Sequence, residues 1–196
     1  MKVIGLTGGI AMGKSFVAAA FRRHGIPIHD ADRAVHALLG PGGAGVAAVD
    51  QAFPGVVQDG KVNRPALGEK VFHEPRALKR LEAIVHPLVR QSQEDFLKKW
   101  RRAGKSHVVL DVPLLLETGN EAGADLIVVV SAPPSVQAHR VLRRPGMTQA
   151  RLHAIRGRQM RDAEKRRLAD VVICTGLSRH HTLRQVRRLL ARLGDR

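Results

Sequence analysis

Residues 8 to 15 read Gly8-Gly9-Ile10-Ala11-Met12-Gly13-Lys14-Ser15, which fits G-x-x-x-x-G-K-[ST] and constrains the fold more than any other stretch. Val3-Ile4-Gly5-Leu6 before it reads as a buried strand. Residues 14 to 23 after it read as a helix, with Phe16, Val17, Ala20 and Phe21 on one face. Strand, glycine-rich turn and helix in that order form the context that a phosphate-binding loop requires. The glycines let successive backbone N–H groups turn inward on an anion, and the helix N-terminus adds partial positive charge. Lys14 is long enough to reach β- and γ-phosphates, and the Ser15 hydroxyl is a hard oxygen ligand suited to Mg²⁺. An ordinary glycine-rich βα turn needs no Lys-Ser at this offset, so the sequence points to a nucleoside triphosphate.

A chain of 196 residues, 44% hydrophobic, suggests one domain with small insertions and a real core. No apolar run approaches the length of a membrane span. Met1-Lys2 leads directly into the first strand, so no signal peptide is expected. The single cysteine, Cys174, rules out an intramolecular disulfide, and a cytoplasmic location is expected. The chain carries 33 Lys+Arg against 17 Asp+Glu, a formal charge of +16, which favours anionic ligands. Aromatic residues are only 3% and Tyr is absent, so the stacking platforms of a single-strand binder are missing. Nucleic acid is not the expected partner despite the charge, and a monomer or weak homo-oligomer is expected.

Strands and helices alternate along the chain. Ile26-Pro27-Ile28-His29, His107 to Leu110, Leu126 to Val130 and Val171 to Cys174 read as further strands. Thr182 to Leu193 reads as an amphipathic helix with Leu183, Val186, Leu189, Leu190 and Leu193 on its apolar face. This alternation predicts an α/β fold, a doubly wound parallel five-stranded sheet covered on both faces. Two intervals exceed what a crossover needs. Residues 31 to 106 read as mostly helical, with breaks at 41–45 and 54–60, and contain a helical substrate-binding insertion expected at about 61–103. Residues 140 to 168 read as an Arg-rich helical lid. The core is then 1–60, 104–139 and 169–196.

Asp30-Ala31-Asp32 follows the second strand, and in an open α/β sheet ligands sit beyond the carboxyl ends of the strands. One carboxylate suits a base for an attacking hydroxyl. Asp30 also suits a helix N-cap, which leaves Asp32 as the preferred base. Asp111 ends Val108-Val109-Leu110 and resembles the Mg²⁺-water carboxylate of phosphate-loop proteins. Asp125 and Asp170 precede their strands and read as structural. Arg140, Arg143, Arg144, Arg151, Arg156, Arg158, Arg161 and Lys165 crowd the lid segment. Two or three are expected on phosphate, Arg140 first among them, because a closing arginine stabilises the charge of phosphoryl transfer. Arg184, Arg187, Arg188 and Arg192 read as solvated, and Cys174 as core.

Leu6-Thr7-Gly8-Gly9-Ile10 with Gly13-Lys14-Ser15, Asp30-Ala31-Asp32, Arg64 with Leu67, Val71-Phe72, Leu81-Glu82, His86-Pro87, Asp111-Val112-Pro113-Leu114-Leu115 with Glu117, Gln159-Met160, Lys165 and Ala169-Asp170 together resemble the dephospho-coenzyme A kinase family, nearly end to end. The resemblance implies a phosphate-loop kinase core with a helical coenzyme-A-binding part and a lid. It implies ATP and dephospho-CoA as substrates and transfer of the γ-phosphate to the ribose 3′-hydroxyl, the last step of CoA synthesis. Gly8, Gly9, Ile10, Ala11, Met12, Gly13, Lys14, Ser15 and Phe16 become the expected ATP-binding set. Lys14, Asp32 and Arg140 become the catalytic set, Asp32, Arg64 and His86 the substrate-binding set, and Ser15 and Asp111 the Mg²⁺ ligands. The family pattern has Gly-Ser at Ala11-Met12 and Thr at Phe16. Ala11 suits the loop provided its φ is negative, and Met12 and Phe16 remove two hydroxyls. Thr175 stands where the family commonly has Asn, which removes a polar contact expected near adenine or ribose. A nucleoside monophosphate kinase and a nucleic-acid-binding protein with the same loop are the alternatives.

Overall fold

The computed structural model describes residues 1–72, 74–117 and 123–194. The chain forms two compact units, one made of Met1–His29 with Trp100–Arg196 and the other of Asp30–Lys99.

The first unit is built on a five-stranded sheet with the strand order β2-β5-β1-β6-β7, where β1 is Lys2–Thr7, β2 Ile28–Asp30, β5 His107–Asp111, β6 Leu126–Ser131 and β7 Val171–Cys174. The ladders joining β1 to β5, β1 to β6 and β6 to β7 are parallel. Leu6 pairs with Asp111 on one side and Val128 on the other, so the carboxyl ends of β1 and β5 finish side by side. Beyond them a ligand meets strand ends rather than a closed surface. Helix α1, Lys14–Arg23, and helix α9, Arg179–Leu193, cover the same core. Ile4 and Leu6 of β1, Val17 and Phe21 of α1, and Val186, Leu189 and Leu190 of α9 are buried in it. Leu183 and Leu193 pack at its edge, so the predicted apolar stripe of the last helix is the face used. That helix starts at Arg179, earlier than the expected Thr182, because the Ser178 hydroxyl accepts the His181 N–H at 3.1 Å and caps it.

Asp125 and Asp170 have the structural role expected of them. Asp125 Oδ2 accepts the Val3 N–H and Asp170 Oδ2 the Ile127 N–H, both at 2.7 Å, which satisfies donors at the starts of β1 and β6. Cys174 departs from its expected place in the core. It is exposed, because the strand alternates and buries Ile173 instead.

The second unit begins at Asp30, ahead of the expected insertion boundary at 61. The cause is where the apolar faces go. Helix α2 (Ala31–Leu38), helix α3 (Val46–Ala52), helix α4 (Arg64–Phe72) and helix α5 (Pro75–Arg102) share one cluster. Leu39, Val49, Phe53, Val56, Val62, Leu67 and Val85 are buried in it. A short hairpin of β3 (Val57–Gln58) and β4 (Lys61–Val62) closes this unit, inside the stretch read only as a break. Asp59 and Gly60 have φ of 50 and 69. Asp-Gly supplies the two positive φ angles that a tight two-residue hairpin turn demands.

Candidate active site

The loop from Gly8 to Gly13 joins β1 to α1. Two glycines are needed for different reasons. A Cβ on Gly8 would lie 2.6 Å from the Val130 carbonyl oxygen of the neighbouring strand. Gly13 has φ 93, and a Cβ there would lie 2.9 Å from Thr175 Oγ1. The N–H groups of Gly13, Lys14 and Ser15 have no protein acceptor among the described residues. They open at a helix N-terminus, where donors and the helix dipole favour an anion. Lys14 Nζ forms an ion pair with Asp111 Oδ1, and Asp111 is buried at the end of β5. The structure thus brings together the expected phosphate lysine and the expected metal carboxylate. The Ser15 side is exposed.

The loop is braced from outside. Thr175 Oγ1 donates to the Met12 carbonyl at 2.6 Å. Arg140, in helix α6 (Pro134–Leu142), donates to Thr175 Oγ1 at 2.9 Å, to the Thr175 carbonyl at 2.6 Å and to the Ala11 carbonyl at 3.3 Å. Arg140 therefore holds the loop and the turn after β7. Thr175, expected only as the absence of an Asn, is 6% exposed and uses its hydroxyl on the loop. Ala11 has φ 56, so the proviso of a negative φ is not met. An L residue in this left-handed region is strained by about 1–2 kcal/mol. Met12 is buried in the core, and its sulfur accepts the Ala132 N–H at 3.2 Å, so it anchors the loop by packing. Phe16 is half-buried, outside the α1 face where it was expected. The guanidiniums of Arg23 and Arg179 lie over its ring, at 6.0 and 5.9 Å from the centroid, and Ala18 takes the buried place.

Two glutamines also hold the loop, and their contribution was not foreseen. Gln159 Oε1 accepts the Ile10 N–H at 3.0 Å, and Gln137 Nε2 donates to the Ile10 carbonyl at 2.9 Å. These partners lie far apart in the chain, and periodicity gives no sign of them. In the sequence Gln159 is marked only by the Gln159-Met160 pair of the family resemblance.

The Arg-rich segment contains the end of α6, helix α7 (Gln149–Arg158) and helix α8 (Asp162–Leu168). Lys165, expected among the basic groups for phosphate, is 1% exposed and forms an ion pair with Glu117 at 2.7 Å. Asp162 Oδ2 accepts the Ser131 hydroxyl at 2.7 Å, and Glu117 Oε1 accepts the Met160 N–H at 3.1 Å. Helix α8 is thereby fixed to the sheet unit. The Arg161 hydrogen bond holds the exposed Glu164 carboxyl below the usual carboxylate range.

In the second unit, Asp30 Oδ1 accepts the Arg33 N–H at 3.1 Å and caps α2, which is the capping role weighed for it. Asp32 lies in the first turn of α2 and is exposed. Arg64, the first residue of α4, pairs with the His36 ring of α2. His86 is exposed in α5 next to Pro87, whose missing N–H leaves the Ala83 carbonyl without its helical donor. Among the described residues no group of three or more His, Cys, Asp or Glu side chains forms a metal cage, and no helix is long and apolar enough to cross a membrane.

The family model described as dephospho-CoA kinase matches residues 2–178. A dephospho-CoA kinase of Paramagnetospirillum magneticum is 61% identical over 166 residues, covering 85% of this chain and 78% of the relative. One from Gluconobacter oxydans is 49% identical over 100% of this chain and 99% of its own length. A crystal structure from Thermus thermophilus superposes with a TM-score of 0.83 at 34% identity, covering 98% of this chain and 97% of that one.

Proposed function

This chain belongs to the dephospho-CoA kinase family, and on that premise we propose that it transfers the γ-phosphoryl group of ATP to the ribose 3′-hydroxyl of dephospho-CoA, giving coenzyme A and ADP. The observation that carries this reading is the intact phosphate loop, with Lys14 already paired to Asp111, in a chain that matches the family over nearly its whole length.

The chemistry divides among the residues as follows. The open N–H groups of Gly13, Lys14 and Ser15 receive phosphate oxygens, with Gly8 to Phe16 as the ATP-binding stretch. Lys14 moves from Asp111 to the β- and γ-phosphates and offsets the charge that builds on the transferred group. Asp32 accepts the proton of the 3′-hydroxyl as its oxygen bonds to the γ-phosphorus. The bond from that phosphorus to the bridging oxygen breaks, and ADP leaves with the bond's electron pair. Arg140 acts by holding the loop and stands next to the nucleotide; Arg64 and His86 bind the acceptor. Ser15 and Asp111 fit Mg²⁺: one hydroxyl and one carboxylate are hard oxygen donors, and Mg²⁺ in such sites completes its shell with phosphates and water. When bound, the ion neutralises phosphate charge.

Segment 140–168 is the proposed lid. Lys165 and Asp162 fix α8, so the closing part is α7 and the turns beside it. The proposed location is the cytoplasm and the proposed state a monomer or weak homo-oligomer, with no nucleic-acid partner. An ADP-release assay across acceptors tests the reading. Dephospho-CoA is expected to be phosphorylated efficiently. AMP, GMP, CMP, UMP and adenosine are expected to be poor, since they lack the arm whose binding energy positions the hydroxyl. Faster turnover with any nucleoside monophosphate would replace this reading with that of a nucleotide kinase.

A further inference from the structure

The two halves of the phosphate loop are treated differently. The half that enters α1 presents open N–H groups. The half that leaves β1 is clamped at Ile10 from both sides. Gln159 takes the Ile10 N–H at 3.0 Å and Gln137 the Ile10 carbonyl at 2.9 Å. Both amide orientations follow from their partners. A backbone N–H only donates, so Gln159 must present its oxygen to it. Arg156 Nε and Nη2 only donate, and they point at the Gln137 oxygen at 2.9 and 2.6 Å, which leaves the Gln137 nitrogen for the carbonyl. Gln137 is buried at 5% exposure.

The clamp immediately precedes Ala11, whose φ of 56 is a conformation an L residue does not hold unaided. Gln159 lies between α7 and α8, at the root of the proposed lid, and α8 is fixed to the sheet through Lys165 and Asp162. A hydrogen bond from a fixed root thus sets the peptide that leads into the strained residue.

Resting on the nucleotide-binding reading above, we infer that Gln159 is a positioning residue for ATP: its neutral carbonyl holds the Ile10 peptide so that the loop is set for the phosphates before ATP arrives. Neutrality is part of the design. A carboxylate in the same place also accepts the N–H, but it adds a negative charge within hydrogen-bond reach of a loop that must receive a polyanion.

The test is calorimetric titration of MgATP, without acceptor, into the wild type, Gln159→Met and Gln159→Glu. Gln159→Met keeps the length and removes the acceptor. It is expected to bind ATP roughly threefold to tenfold more weakly, the range of one net hydrogen bond. Gln159→Glu keeps the acceptor and is expected to bind ATP more weakly still. In steady state both are expected to raise the KM for ATP while the KM for dephospho-CoA stays within twofold, a split that general loss of packing does not produce. Wild-type or tighter ATP binding by Gln159→Met overturns the inference, as does equal weakening for both substrates. If Gln159→Met does not fold, Gln159→Glu decides alone, and wild-type ATP affinity in that variant overturns it. The titration contains no acceptor, so a wrong acceptor assignment leaves its result standing, whereas a wild type that binds no ATP defeats both readings.

Discussion

In the loop of residues 8–16 the backbone is held from outside by Thr175 on Met12, Arg140 on Ala11, and Gln137 and Gln159 on Ile10. In the Asp30–Lys99 unit the proposed acceptor-side groups Asp32, Arg64 and His86 stand exposed on helices, with His36 against Arg64. The contrast separates two tasks. Donors aimed at phosphate act best when they need no reorganisation at the moment of reaction, and the loop is built that way, to the point of holding Ala11 at φ 56. Groups that receive a large acceptor gain their definition from the acceptor itself.

The variant expected to do most damage is in the exposed region. If Asp32 takes the hydroxyl proton, Asp32→Asn lowers kcat by roughly 10²–10⁴ while ATP affinity stays near wild type. Asp30→Asn, which keeps an acceptor for the Arg33 N–H at the α2 cap, does less. Steady-state kinetics with a thermal melt as control checks this. A folded Asp30→Asn that is slower than Asp32→Asn reverses the two roles and gives the N-cap the chemistry.

Lys14→Ala probes the braced region and comes next in size. Loss of one fixed electrostatic stabiliser lowers turnover by about 10²–10³. The half-buried Lys14 has its charge paired at the carboxyl end of β5, outside the apolar core, so the fold is expected to survive. Near-normal turnover in a folded variant removes Lys14 from the mechanism.

The smallest effect is expected at the strained residue of the braced loop. At Ala11, glycine relieves about 1–2 kcal/mol of left-handed strain but adds about 0.5–1 kcal/mol of unfolded-state freedom. Ala11→Gly is therefore expected to stabilise the protein by up to about 1.5 kcal/mol in urea unfolding. A destabilised variant would mean that the alanine methyl packs well enough to outweigh its conformation.

What was legible in the sequence follows the range of the interactions. The loop and its flanking strand and helix were readable because consecutive residues define them, and the places of Lys14 and Asp111 because one opens the helix after the loop and the other ends a strand. The capping role of Asp30 and the structural roles of Asp125 and Asp170 were readable for the same reason. Gln137, Gln159 and Thr175 were not readable as braces, because each meets the loop across more than a hundred residues and leaves no local pattern. The hairpin at Asp59-Gly60 did leave one, the Asp-Gly pair, and reading the stretch as a mere break passed over it. The start of the second unit at Asp30 depended on which cluster α2 and α3 join, and their short apolar patterns are equally compatible with packing on the sheet. Lys165 belongs to a basic cluster of which only two or three groups are expected on phosphate, and nothing local in the sequence marks its burial against Glu117.

In the proposed reaction a hydroxyl, made reactive by the Asp32 carboxylate, receives the γ-phosphate held at the braced loop. The most direct test of this transfer is the position of the new phosphate. The product of a complete reaction with ATP and dephospho-CoA is analysed by tandem mass spectrometry and by ³¹P NMR. A single new monoester on the ribose 3′-oxygen and an unaltered pyrophosphate are expected. A new phosphate attached to an existing phosphate, or no phosphorylated product from dephospho-CoA at all, would contradict it.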